Sequence, residues 1–211
     1  MSFETKQNKI KLYSIIVFIM SLSFIGCAQS LQNTSFHRST NLNECSNCFW
    51  DIELLPIVLE TDSDLDPIIT ENIRLALVEW NNILGFNVFE TQVVDIQDRI
   101  SYGVLTDPPF GHVYMFITEL GRSYNGEYIL GLARRDIENE QIVSGVIYLD
   151  EELNDVDSFI IVLHELGHIL NLRHDQEDTN SIMFSRPLEG LCIVRPEDIQ
   201  WIQNHLFSNP I

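Results

Sequence analysis

His164-Glu165-Leu166-Gly167-His168-Ile169-Leu170-Asn171-Leu172-Arg173-His174 is the stretch on which the fold and chemistry of this chain turn. Its first five residues form an H-E-x-x-H pattern. Residues four apart on a helix share a face, so the imidazoles of His164 and His168 can reach one ion, while Glu165 can address a water beside it. The flanks Phe159, Ile160, Ile161, Val162, Leu163, Leu166, Ile169 and Leu170 are apolar, which makes this a buried core helix. Unpaired His and Glu side chains are costly there, and a bound metal removes that cost. A helix that carries two histidines and a glutamate for solubility does not account for those flanks. His174 offers a third ligand. Were the helix to continue, His174 would lie almost two turns, roughly 9 Å of rise, beyond His168. The chain must therefore turn back, and a left-handed residue at Asn171 would do this.

Asn154 to Ser158 supplies N-caps for that helix, predicted from Asp157 to Leu170. Upstream, Ile142–Leu149 and His112–Thr118 read as strands, the latter with Val113, Met115 and Ile117 on one face. Phe86–Val94 reads as another strand, and Ile52–Leu59 is a β-rich apolar run broken at Pro56. Ile69, Ile73, Leu77, Trp80 and Leu84 recur at helical spacing between the cap residues Asp62–Pro67 and Gly85. Pro108-Pro109 marks a loop and Asn125-Gly126 a turn. A last helix is predicted from Pro196, with Glu197 and Asp198 at its positive end. This order predicts an α+β domain with a mixed sheet.

At 211 residues with 45% hydrophobic and 20% charged positions, the composition suits one globular domain after a targeting segment. The formal charge is −19. Residues 1–26 carry three lysines against one glutamate, so the rest of the chain stands at −21. Such a surface repels phosphate backbones, and nucleic acid is not an expected partner. Residues 1–26 have the layout of a secretory signal: lysines, a short apolar run from Leu12 to Ile25, then Gly26-Cys27. The run is short for a membrane span and is interrupted by Ser14, Ser21 and Ser23. Phe24-Ile25-Gly26-Cys27 resembles the lipobox of bacterial lipoproteins, with Phe24 in place of the usual leucine. The resemblance implies lipidation of Cys27 and an exported protein anchored to a membrane of the cell envelope or cell surface. Residues 27–49, rich in Ser, Asn, Thr and Gln, then read as a lipidated flexible tether, and 50–211 as the folded domain.

Cys45, Cys48 and Cys192 remain. Cys45-x-x-Cys48 lacks the second pair of a zinc ribbon and the βαβ surroundings of a redox motif. With an odd number left after Cys27, one thiol stays free or pairs between chains. The pairing expected is a bridge from Cys45 or Cys48 to Cys192 that ties the two ends of the domain.

The 164–174 segment matches the metzincin pattern H-E-x-x-H-x-x-G-x-x-H except that Asn171 stands where the family has glycine. Asp175 follows the third histidine as in the adamalysin branch, and Ser181-Ile182-Met183 resembles the family's Met-turn, with Met183 beneath the metal. From Trp50 to the C-terminus the chain is most similar to matrixin catalytic domains. Gly145–Asp150 resembles the strand before the active-site helix, Glu197–Gln203 the closing helix, and Gly131-Leu132-Ala133 the edge segment that pairs with substrate. The resemblance implies a metzincin-like catalytic domain with a mixed twisted sheet, an active-site helix and a C-terminal helix. It implies a zinc endopeptidase in which His164, His168 and His174 hold one catalytic zinc, Glu165 activates the zinc-bound water, and Leu132 and Ala133 form the substrate strand.

Some positions depart from the matrixin pattern. The ligand positions of the family's second, structural zinc hold Arg134 and Tyr148, which are poor ligands. One calcium site would need an Asp and a Glu three residues on; Asp150 is present but Leu153 replaces the second, so calcium has only weak support. No cysteine-switch motif occurs in 28–49. His37, His112 and His205 have no motif context and read as surface or core residues. A monomer acting on peptide or protein substrates is the expectation. The alternative from another class is a lipid-anchored, zinc-containing binding module without proteolytic activity. A closed structural site would normally show four protein ligands, whereas three histidines with a retained glutamate suit catalysis.

Overall fold

Strand, helix, a run of strands and two helices follow one another along the chain, the order the periodicities predict, and several of their ends have a visible cause. The computed structural model describes residues 34–35, 45, 48–95, 100–101, 104–122, 128–153, 155–185 and 194–206. The strands are β1 (Thr34–Ser35), β2 (Phe49–Trp50), β3 (Ile57–Asp62), β4 (Phe89–Val94), β5 (Ile100–Ser101), β6 (Val104–Leu105), β7 (His112–Thr118), β8 (Tyr128–Ile129), β9 (Gly131–Glu138) and β10 (Gln141–Asp150). The helices are α1 (Pro67–Leu84), α2 (Asp155–Ile169) and α3 (Pro196–Leu206). The Asp66 carboxylate caps α1 by accepting from the Ile68 amide at 2.7 Å, Pro67 sits in its first turn, and Gly85 closes it in left-handed backbone.

The apolar run Ile52–Leu59 does not form one strand. Asp51 accepts from the Glu53 amide and seeds a short 3-10 turn over Ile52–Leu54, so β3 starts only at Ile57, past Pro56.

The main sheet is mixed, in keeping with the α+β expectation. β4, β3, β7 and β10 lie side by side in parallel, and β9 runs antiparallel along the other edge of β10. β2 meets only the first residues of β10, Gln141 and Ile142. The turn from β9 to β10 passes through Asn139 and Glu140, both at positive φ (50° and 67°), which matches the twist of a two-residue hairpin. Helices α1 and α2 cover one face of the sheet. Ile57, Leu59, Val113, Met115, Ile147 and Leu149 from the strands meet Ile73, Leu77 and Trp80 of α1 and Ile161, Leu166 and Ile169 of α2 in one core. The Trp80 indole donates to the Leu163 carbonyl at 3.0 Å, which couples α1 to the helix that carries the motif.

The packed unit reaches back before Trp50. Cys48 is fully buried in the core and is bonded to Cys45. That disulfide overturns the expected bridge to Cys192, which itself lies outside the described residues. Three residues of separation with the Cα atoms 5.4 Å apart satisfies disulfide geometry locally, so no long-range partner is needed. Cys27, the 1–26 segment and most of the tether also fall outside the described residues. Among the described residues no helix is long and apolar enough to cross a membrane.

Candidate metal centre

His164 and His168 stand one turn apart on α2, and both rings are fixed from behind. His164 Nδ1 lies 2.6 Å from the Ile182 carbonyl, and His168 Nδ1 lies 2.9 Å from the Leu172 carbonyl. A ring nitrogen that faces a carbonyl oxygen carries the hydrogen, so each Nε2 keeps a lone pair that points away from its support. Beyond Ile169 the helix ends. Asn171 adopts φ 69°, and the Leu172 amide closes back on the Gly167 carbonyl at 2.9 Å. The left-handed residue predicted at this position is present, and it returns the chain to the helix. His174 Nε2 arrives 3.2 Å from His164 Nε2 and 3.1 Å from His168 Nε2.

Three imidazole nitrogens thus converge, with their ligand atoms all within 4.8 Å of one another. Neutral rings cannot satisfy this arrangement among themselves. Two Nε2 atoms offer only lone pairs, and His174 Nε2 has at most one hydrogen to give. Burial pushes His164 down to about 3, aided by the neighbouring His174, against the opposing pull of the Ile182 carbonyl. Burial also holds His168 well below its usual range, with His164 and His174 adding to the effect. Both rings are therefore kept in the neutral form that binds metal. The residues fit a divalent ion held by three nitrogens.

Glu165 lies beside them, 1% exposed. Neither of its carboxylate oxygens has a hydrogen-bond partner among the described residues. Burial raises its pKa from 4.5 to about 8; the Ala133 backbone opposes this but lies outside ordinary hydrogen-bond geometry. β9 packs closely here. A Cβ on Gly131 would sit 2.5 Å from Glu165 Oε1, so the missing side chain makes the room that the carboxylate occupies. The sequence reading treated Gly131 only as the start of an edge segment, and a lone strand glycine was the one signal available.

Met183 is fully buried under the helix. A Cβ on Gly167 would lie 2.5 Å from its sulfur, so the fourth residue of the motif lets the turn press against α2. Ile182 supplies the carbonyl behind His164, and the Met183 carbonyl accepts from the Asp175 amide at 2.8 Å. The Asp175 carboxylate meets Arg195 at 2.5 Å, and Arg195 also holds Asp198 at 2.9 Å, which ties the loop after His174 to α3. A cleft of about 550 Å³ opens here, lined by Leu172, His174, Asp175, Arg195 and Trp201 among others.

Leu132 and Ala133 pair with Tyr148 and Ile147 of β10. Among the described residues β9 has no strand partner other than β10. Arg134 engages Asp107 at 3.8 Å and Asp136 at 3.4 Å, and Tyr148 stacks on Phe116 with 6.1 Å between centroids. Asp150 spends its carboxylate on the amides of Leu120 and Glu152, and Leu153 packs in the core. His112 meets the buried Glu60, His205 falls in α3, and His37 lies outside the described residues.

The Asn171 side chain has a role that its place in the motif, where the family has glycine, does not reveal. Its Nδ2 donates to the Cys48 carbonyl at 2.7 Å and the Cys45 carbonyl at 3.4 Å, and its Oδ1 accepts from Arg135.

No protein-family model matches this chain, and no curated protein matches it. Among solved structures it is similar to the archaemetzincin of Methanopyrus kandleri, at 15% identity over 78% of this chain and 98% of that one, with a TM-score of 0.46. It is also similar to myroilysin, at 11% identity over 90% of this chain and 96% of that one, with a TM-score of 0.43.

Proposed function

We propose that this protein is a zinc-dependent endopeptidase, with His164, His168 and His174 as metal ligands and Glu165 as the catalytic base. One observation carries the reading: three convergent imidazole nitrogens stand next to a buried carboxylate that has no hydrogen-bond partner among the described residues. An all-nitrogen set with three protein ligands is the composition of open, catalytic zinc sites rather than closed structural ones. Zinc bound there supplies Lewis acidity to a peptide carbonyl and to water.

The chain's own residues do the rest. Glu165 takes a proton from the attacking water and returns it to the leaving amine. Burial lifts this carboxyl to about 8, which suits a group that must both hold and release a proton near neutral pH. The edge of β9 away from β10, which has no strand partner among the described residues, would offer backbone groups around Leu132 and Ala133 to an extended substrate in a strand-addition mode. From the sequence, Cys27 carries the lipid that anchors the exported domain to a membrane, and the 27–49 segment, read from its composition as a tether, joins lipid to domain.

The test is incubation of the purified protein with a peptide library, with and without a chelator. Chelator-sensitive cleavage inside peptides, restored by zinc, is the expected result. Zinc uptake with no cleavage of any peptide would move the reading to a metal-containing binding module. No zinc uptake would remove it altogether.

A further inference from the structure

We propose that the Cys45–Cys48 disulfide segment is a positioning element of the metal centre, acting through the Asn171 side chain, and that its reduction weakens metal binding. The proposal rests on the metal-site part of the reading above and goes beyond it.

His174 is the one ligand that α2 does not carry, so its place depends on the turn that begins at Asn171. That turn is gripped from the far end of the chain. The Asn171 amide is 4% exposed, and its Nδ2 has two hydrogens. One reaches the Cys48 carbonyl at 2.7 Å and the other the Cys45 carbonyl at 3.4 Å, residues 123 and 126 positions away. Both carbonyls face one nitrogen because the bridge draws the two cysteines together, with Cα atoms 5.4 Å apart. Arg135 of β9 donates to the Oδ1 of the same amide. Just beyond the bridge, the buried Trp50 indole donates to the Ile169 carbonyl at 2.8 Å, so the segment also holds the last turn of α2.

Opening the bridge releases the two carbonyls from their common orientation. A buried amide that loses its acceptors pays the desolvation cost of the unmet donor, and the turn relaxes to recover it. His164 and His168 remain on the helix, whereas His174 moves with the turn. Reduction by a phosphine balances as one disulfide, one phosphine and one water giving two thiols and one phosphine oxide, with both thiol protons from the water.

The test uses the metal-free full chain and measures zinc affinity by competition with a chromophoric chelator. Asn171→Gly keeps the positive φ and removes the amide. Loss of these hydrogen bonds should weaken zinc by about tenfold. The double substitution Cys45→Ser/Cys48→Ser should weaken it to a similar degree, and the combined triple variant should be no weaker than Asn171→Gly alone, because both act through one contact. Phosphine reduction of the wild type should reproduce the loss, reoxidation should restore affinity, and the serine variant should not respond. Should the serine variant fail to fold, the reversible reduction of folded wild type carries the test. Unchanged affinity on reduction, or losses that add in full in the triple variant, would overturn the proposal. A wild type that takes up no zinc would instead remove the metal centre itself, and this inference with it.

Discussion

Glu60 on β3 and Glu165 on α2 are equally buried, each 1% exposed, yet their surroundings differ. Glu60 Oε1 lies 2.6 Å from His112 Nδ1, on the neighbouring strand β7. Glu165 has no hydrogen-bond partner among the described residues, and burial drives its pKa up to about 8. Burying a carboxylate is costly unless something answers it. At Glu60 the fold supplies the answer from the adjacent strand, so the residue belongs to the architecture. At Glu165 no described residue supplies one, and three converged imidazoles stand alongside, the surroundings on which the proposed proton-transfer role rests.

The sharpest way to break this contrast is to neutralise each glutamate in turn. Glu165→Gln should lower peptide turnover by about 10²–10⁴-fold, the usual worth of a general acid–base group, with metal content unchanged. Glu60→Gln should leave turnover as it is and lower Tm instead, since disturbing a buried hydrogen bond costs about 1–3 kcal/mol. Kinetics, metal analysis and thermal melts on the two variants decide the matter; an equal loss of turnover in both would erase the distinction.

A second comparison is of stability against pH in metal-free protein. Glu165 is raised from 4.5 to about 8, so between those values the folded state holds a proton that the unfolded state has lost. Stability from this group therefore falls as pH rises through that window. His164 is lowered from 6.5 to about 3, so the unfolded state binds the extra proton and stability rises with pH up to about 6.5. Above 6.5 only the Glu165 contribution remains of these two. Wild type should lose stability from pH 6.5 to 8, and Glu165→Gln should lose less. Denaturant titrations at a series of pH values measure this, and parallel curves for the two proteins would contradict the assigned burial.

A smaller effect should come from the wall of the Glu165 site. Gly131→Ala places a Cβ 2.5 Å from Oε1 and 2.9 Å from Cδ of Glu165. Overpacking of this kind costs about 1–3 kcal/mol. Tm and turnover should both fall, with zinc affinity retained because no ligand is touched. If turnover is untouched, the carboxylate has more freedom than its packing implies.

The sequence by itself determined the elements with a period and the histidines with a spacing. α1 has its apolar face at the predicted positions, α3 starts at Pro196, and the 164–174 spacing brings the three histidines together through a left-handed Asn171. These depend on backbone geometry over a few residues, and composition records that directly. Only the tertiary structure decided the rest. The β9–β10 hairpin turns on Asn139-Glu140, a pair without the glycine that usually announces such a turn. The apolar run at Ile52–Leu59 splits because the Asp51 side chain competes for its backbone. Cys45 bonds Cys48 rather than Cys192, Gly131 clears space for Glu165, and the Asn171 amide finds its partners more than a hundred residues away. The Gly131 and Asn171 contacts join distant segments, so they depend on how finished elements pack and leave no periodic trace in either segment.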